Sequence, residues 1–119
     1  MRTLDRLKPR IKLWLDSETA DGVFGGGKCR LLKSIETTGS LRAASDALHI
    51  SYRKAWGDLK KAQNALGVVL IEKHRGGRRG GRTVLTKQGK RWLQAYSRFH
   101  QDVETMVGAS FERFLREVG

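Results

Sequence analysis

The chain has 119 residues, 39% apolar and 30% charged, with 24 Lys/Arg against 12 Asp/Glu and a formal net charge of +12. Such a length fits one domain, expected here over 1–119, that buries roughly two thirds of its unfolded surface, and the composition is globular rather than disordered. A single cysteine, Cys29, excludes an intramolecular disulfide and suits a reducing cytoplasm, while the apolar run Leu13-Trp14-Leu15 is too short for a signal-peptide core or a membrane span. A cytoplasmic protein with no membrane partner is expected.

In chain order, Ile11 to Leu15 is rich in strand formers and reads as a short strand. Asp21-Gly22 suggests a turn and Val23-Phe24 a return strand. Gly25-Gly26-Gly27 reads as a break. Lys28 to Thr37 places Leu31, Leu32 and Ile35 at helical spacing, with Gly39 as a left-handed stop. Ser40 caps a second helix carrying Leu41, Ala44 and Leu48 on one face; His49-Ile50 is a turn; Ser51 caps a third helix that ends at Gly67. Val68 to Lys73 reads as a strand, Arg75 to Arg82 (RGGRRGGR) as a glycine-rich tip, and Thr83-Val84-Leu85 as the returning strand. Thr86 caps a last helix from Lys87 to about Val118. The fold expected is mainly α with a small β component: a winged helix-turn-helix (about 40–67, with a wing at about 68–85) and a long C-terminal dimerisation helix (about 87–118).

Charge is unevenly spread. Residues 1–38 hold 8 Lys/Arg and 5 Asp/Glu, residues 39–92 hold 13 and 3, and residues 93–119 hold 3 and 4. The excess thus coincides with the helix-turn-helix run and the glycine-rich tip, which points to a polyanion, double-stranded DNA, rather than to a merely solvated surface.

Around the third helix, Tyr52, Ala55, Trp56, Leu59, Ala62, Gln63 and Leu66 share one sector, and Arg53, Gly57, Lys60, Lys61 and Asn64 lie opposite. Trp56 is expected in the core. Ser51, Tyr52, Arg53, Lys54 and Gly57 would enter the major groove deepest, with Arg53 placed to fork onto guanine. Tyr52 reads either as a backbone contact or as a core or rim aromatic. Gly57 would permit close approach of DNA, and Lys60 and Lys61 would meet phosphate; Ser40 joins the DNA-facing set. In the tip, Arg75, Arg78, Arg79 and Arg82 flank paired glycines, suited to phosphate or a narrow minor groove. Arg-Gly-Gly segments also bind RNA or single strands without sequence preference, but the two flanking strands favour a wing.

Gly22 to Cys29 (GVFGGGKC) nearly matches the phosphate-loop pattern, but Cys29 stands where a magnesium-holding hydroxyl is needed. His49, His74 and His100 are scattered, without metal-ligand spacing. No nucleophile, base and acid set stands out, so neither enzyme activity nor a cofactor nor a metal is expected. In the last helix Trp92, Leu93, Tyr96, Phe99, His100, Val103, Met106, Val107, Phe111, Phe114 and Val118 form one broad stripe, too long for a small domain to cover alone. Tyr96, Phe99, Val103, Met106, Val107, Phe111 and Phe114 are expected to pair with a second copy, the alternative being that the stripe covers the N-terminal strand. Gly108, off the stripe, is a candidate bend or stop.

With these elements placed, residues 11–107 resemble the N-terminal winged helix-turn-helix domain of the molybdate-responsive ModE regulator family. The carriers are Leu13-Trp14-Leu15, Glu36-Thr37-Thr38-Gly39-Ser40, Ala43-Ala44, Ser51-Tyr52-Arg53-Lys54-Ala55-Trp56, the pairs Gly76-Gly77 and Gly80-Gly81, and Leu85-Thr86 with Gly89. The resemblance implies a homodimeric transcriptional regulator with its third helix in the major groove and its wing on flanking DNA. Family members bind molybdate in separate C-terminal domains beyond the stretch matched here, so any effector response is expected to come from elsewhere, such as a separate effector-sensing protein. Lys60 and Lys61 replace residues often acidic in that family, so operator preference does not transfer. The competing class is a nonspecific nucleoid-associated or RNA-binding protein that uses only its basic surface.

Overall fold

A computed structural model describes residues 3–75 and 81–119 of the chain. After a 3₁₀ turn at Thr3–Arg6 come β1 (Trp14–Leu15), β2 (Phe24–Gly25), α1 (Gly26–Thr38), α2 (Leu41–Ala47), α3 (Tyr52–Leu66), β3 (Ile71–His74), β4 (Arg82–Leu85) and α4 (Lys87–Val118). β1 pairs antiparallel with β2, and β3 with β4 in the register Ile71↔Leu85 to His74↔Arg82.

The polar punctuation acts as its chemistry dictates. The Ser40, Ser51 and Thr86 hydroxyls accept the N–H groups of Ala43, Lys54 and Gly89, satisfying donors left free at each helix start. Gly39 (φ 77°) and Gly67 (φ 69°) adopt the left-handed conformation that stops α1 and α3. Between α2 and α3, His49 takes a positive φ of 57°. The buried Ser45 closes that turn: its hydroxyl donates to Leu41 and its carbonyl accepts Ile50.

The core gathers Phe24, Leu31, Leu32, Ile35, Leu41, Leu59 and Leu70. Each such side chain contributes about 1.5–3 kcal/mol when fully removed from water. Phe24 packs against Trp92 and Tyr96 with ring centroids 5.2 and 5.4 Å away, so β2 is clamped between α1 and the start of α4. Gly89 makes the α4 crossing possible: a Cβ there would collide with the Leu70 carbonyl.

Three expectations need correction. Gly26 and Gly27 do not break the chain; they form the first turn of α1, with Gly25 in extended conformation ahead of it. At Gly25 a Cβ would stand 2.8 Å from that of Trp14, so the glycine there serves the β1–β2 approach. Trp56 is 36% exposed rather than in the core; it lies at the rim of the apolar sector of α3, whose buried members are Ala55, Leu59 and Ala62. Tyr96 is 6% exposed and belongs to the core rather than to a seam. Its hydroxyl donates to the Leu13 carbonyl at 2.7 Å.

α4 runs unbroken through Gly108 for 32 residues, about 48 Å at 1.5 Å per residue, well beyond the core. The N-terminal segment follows it, with Pro9, Arg10 and Ile11 facing His100, Glu104, Val107 and Gly108 across a cleft of about 320 Å³. That segment covers one flank of the stripe. Phe99, Met106, Phe114 and Val118 remain exposed, and Val103, Val107 and Phe111 are half-buried.

Candidate nucleic-acid interface

The wing is anchored at its root. The side-chain oxygen of Gln63 on α3 accepts the N–H groups of Leu70 (2.7 Å) and Ile71 (3.2 Å). The Leu70 carbonyl accepts the Thr86 N–H at 3.0 Å. The Leu70–Thr86 bond continues the register of the β3–β4 ladder, and β3 begins at Ile71 rather than at Val68. On the other strand, the buried Thr83 donates its N–H to Gly39 at 2.9 Å and accepts the Leu41 N–H on its hydroxyl at 3.1 Å. Helix-turn-helix and wing are therefore hydrogen-bonded at both strands.

Between them lies a cleft of about 480 Å³ lined by Ser40, Arg42, Tyr52, Lys73, Arg75 and Arg82, among others. Its described lining holds four basic side chains and no carboxylate. Tyr52, half-buried, is the hub. The Arg42 guanidinium lies 4.7 Å from its ring centroid and the Lys73 ammonium 4.9 Å, and Lys73 hydrogen-bonds to the Tyr52 hydroxyl. The same ammonium stands 4.4 Å from the centroid of the half-exposed Trp56 ring. Such cation–ring contacts are worth about 0.5–1 kcal/mol at exposed sites.

The expected readers divide into groups. Arg53, Gly57, Lys60 and Lys61 are exposed along the outer face of α3, and a Cβ at Gly57 would meet nothing within 4 Å. Lys54 is exposed but paired with Asp58 at 3.1 Å, and Ser51 is exposed while serving as a cap. Ser40, Tyr52, Arg75 and Arg82 join the cleft. Arg78 and Arg79 lie outside the described residues. Arg42, Trp56 and Lys73 were not among the expected contacts. The alternation of Ile71 with Lys73 along a four-residue strand is too short to show which way Lys73 turns, and only the pairing with α3 reveals it.

The glycine-rich run from Gly22 into the first turn of α1 is bridged by its own lysine. Lys28 donates to the Gly22 carbonyl at 2.8 Å. Burial lowers its pKa from the usual lysine value, Asp58 opposes that shift, and Lys61 and Lys54 add to it. Among the described residues, no group of three or more His, Cys, Asp or Glu is placed to hold a metal, and no helix is long and apolar enough to cross a membrane.

Residues 28–90 match the family model described as bacterial regulatory helix-turn-helix protein, lysR family. The molybdenum transport protein ModE of Azotobacter vinelandii is 32% identical over 116 residues, 98% of this chain and 42% of that protein. The molybdenum-pterin-binding protein MopB of Rhodobacter capsulatus is 33% identical over 92 residues, 77% of this chain and 34% of that protein. The chain thus spans less than half the length of these curated relatives. The crystal structure of a CbnR_DBD-DNA complex superposes with a TM-score of 0.54 at 24% identity, covering 78% of this chain and 97% of that one; this likeness bears on the fold alone.

Proposed function

The chain belongs to the bacterial regulatory helix-turn-helix proteins of the LysR family, and from that premise we propose that it regulates transcription by binding duplex DNA sequence-specifically as a homodimer. In this reading α3 enters the major groove with Arg53 toward base edges, and the wing lies on flanking backbone. The observation that supports it is that α3 carries exposed Arg53, Lys60 and Lys61 on its outer face, while Tyr52 at its start lines a cleft with Arg42, Lys73, Arg75 and Arg82 and no carboxylate among the described residues. Base edges are read by a helix in the groove, while affinity comes from cations on the backbone, and the two requirements meet here on adjoining surfaces.

The homodimer rests on α4. Phe99, Met106, Phe114 and Val118 are all exposed on a helix that projects past the core, and a second copy is the partner that also explains reading of two half-sites. In-vitro selection of bound duplexes tests the whole reading. Recovery of an inverted repeat is the expected result. Recovery of random sequence would leave a nonspecific nucleic-acid coat instead.

A further inference from the structure

Two like charges brought to one ring repel each other, yet Arg42 and Lys73 are both held at the ring of Tyr52, 4.7 and 4.9 Å from its centroid. Ring attraction for Arg42 and the hydrogen bond of Lys73 to the tyrosine oxygen offset part of this repulsion. Among the described residues neither cation has a carboxylate within salt-bridge distance. Their elements differ: Arg42 is on α2, Tyr52 on α3 and Lys73 on β3. The tyrosine hydroxyl and the Trp56 face steer the lysine from two sides, and both cations line the open cleft with Ser40 and Arg82. This is a preorganised pair of cations that lacks an anion.

Resting on the function proposed above, we infer that Arg42 and Lys73 form a seat for a single backbone phosphate of the duplex. One phosphate held there is bound by the helix-turn-helix and the wing together, which sets the angle at which α3 meets the groove. Tyr52 then reads no base; its ring carries Arg42 and its hydroxyl orients Lys73. Phosphate contacts fix position and carry no sequence information directly. The seat therefore contributes equally to binding of every sequence.

The test is binding of the full chain to a selected duplex and to a random one, from about 50 to 200 mM salt. The variants are Arg42→Gln, Lys73→Met, the two combined, and Lys73→Arg. In the combined variant the slope of log K on log salt becomes shallower by about one, the value for one phosphate, with the ratio of selected to random affinity unchanged. Lys73→Arg keeps the wild-type slope. A slope unchanged in the combined variant, in a protein that still binds duplex, overturns the seat and leaves the DNA-reading function standing. A fall of about two means two separate phosphates and overturns the shared seat. A reduced affinity ratio makes these side chains base readers and overturns the assignment. Wild-type protein with no affinity for duplex overturns the function itself.

Discussion

Gln63 on α3 accepts the backbone N–H of Leu70 at 2.7 Å, so a side chain of α3 completes the hydrogen bonding of the segment that leads into the wing. Leu70 is fully buried, and no water can replace that partner cheaply. Gln63→Ala should cost about 1–3 kcal/mol, the range for a buried donor left unsatisfied. Gln63→Glu, which retains an acceptor oxygen, should cost less. Denaturant unfolding of the two variants checks the order, and equal losses would show that the bond is not what matters.

Gly89→Ala gains about 1 kcal/mol of helix propensity but drives a methyl group into the Leu70 carbonyl. Backbone cannot yield as a side-chain tip can, and overpacking typically costs about 1–3 kcal/mol. A lower melting temperature is the expected result. Gly57→Ala is the control, because open space surrounds that position and only the propensity gain applies.

Arg53 is exposed on the outer face of α3 and outside the cleft. Arg53→Ala should lower affinity for a selected duplex by about 1–3 kcal/mol, the worth of one bidentate base contact, and leave affinity for random duplex much less affected. Equal loss on both would assign Arg53 to the backbone.

Met106 is 62% exposed in the middle of the projecting part of α4, away from the core contacts of Leu93 and Tyr96. On the proposed homodimer, Met106→Glu should therefore convert dimer to monomer in sedimentation without lowering helix content. A dimer that survives it, and Phe114→Glu as well, places the seam elsewhere.

Burial is the main influence raising the Tyr96 pKa above its usual value of 10.0; Cys29 raises it further and Arg30 opposes. The folded state thus favours the neutral phenol, and the unfolded chain releases its proton first. Whatever stability the hydroxyl contributes is fully present below pH 10 and is lost as pH rises above it. Tyr96→Phe removes the bond to Leu13, worth about 0.5–1.5 kcal/mol, and also removes this pH dependence. The stability gap between wild type and Tyr96→Phe should narrow above pH 10, while Lys28, common to both, cancels. A constant gap would mean that the folded phenol titrates like the unfolded one.

Helix boundaries were readable because they depend on local chemistry: Ser51 and Thr86 cap, Gly39 and Gly67 stop, and each does so through bonds within its own turn. Trp56 departs from the helical-wheel expectation because a wheel orders residues by angle but does not show how wide the buried sector is, and its ring meets Lys73 of a wing strand distant in sequence. Tyr96 was misread for the complementary reason. Its apolar stripe continues without a mark at the point where Phe24 and Leu13 stop covering it. Gly26 and Gly27 look like a break because propensity disfavours them in helices, yet tertiary packing of Leu31, Leu32 and Ile35 holds the turn they begin. Arg42 and Lys73, separated by 31 positions, become neighbours only through Tyr52, so no local pattern announced them.

Thr83 has a mechanical consequence. It ties β4 to the corner between α1 and α2 with one bond donated and one accepted, and Gln63 ties β3 to α3. A tug on the wing is then not absorbed by a hinge at its base. It passes as torque into the corner between α1 and α2 and into α3, so in the proposed complex the wing would work as a tiller for α3.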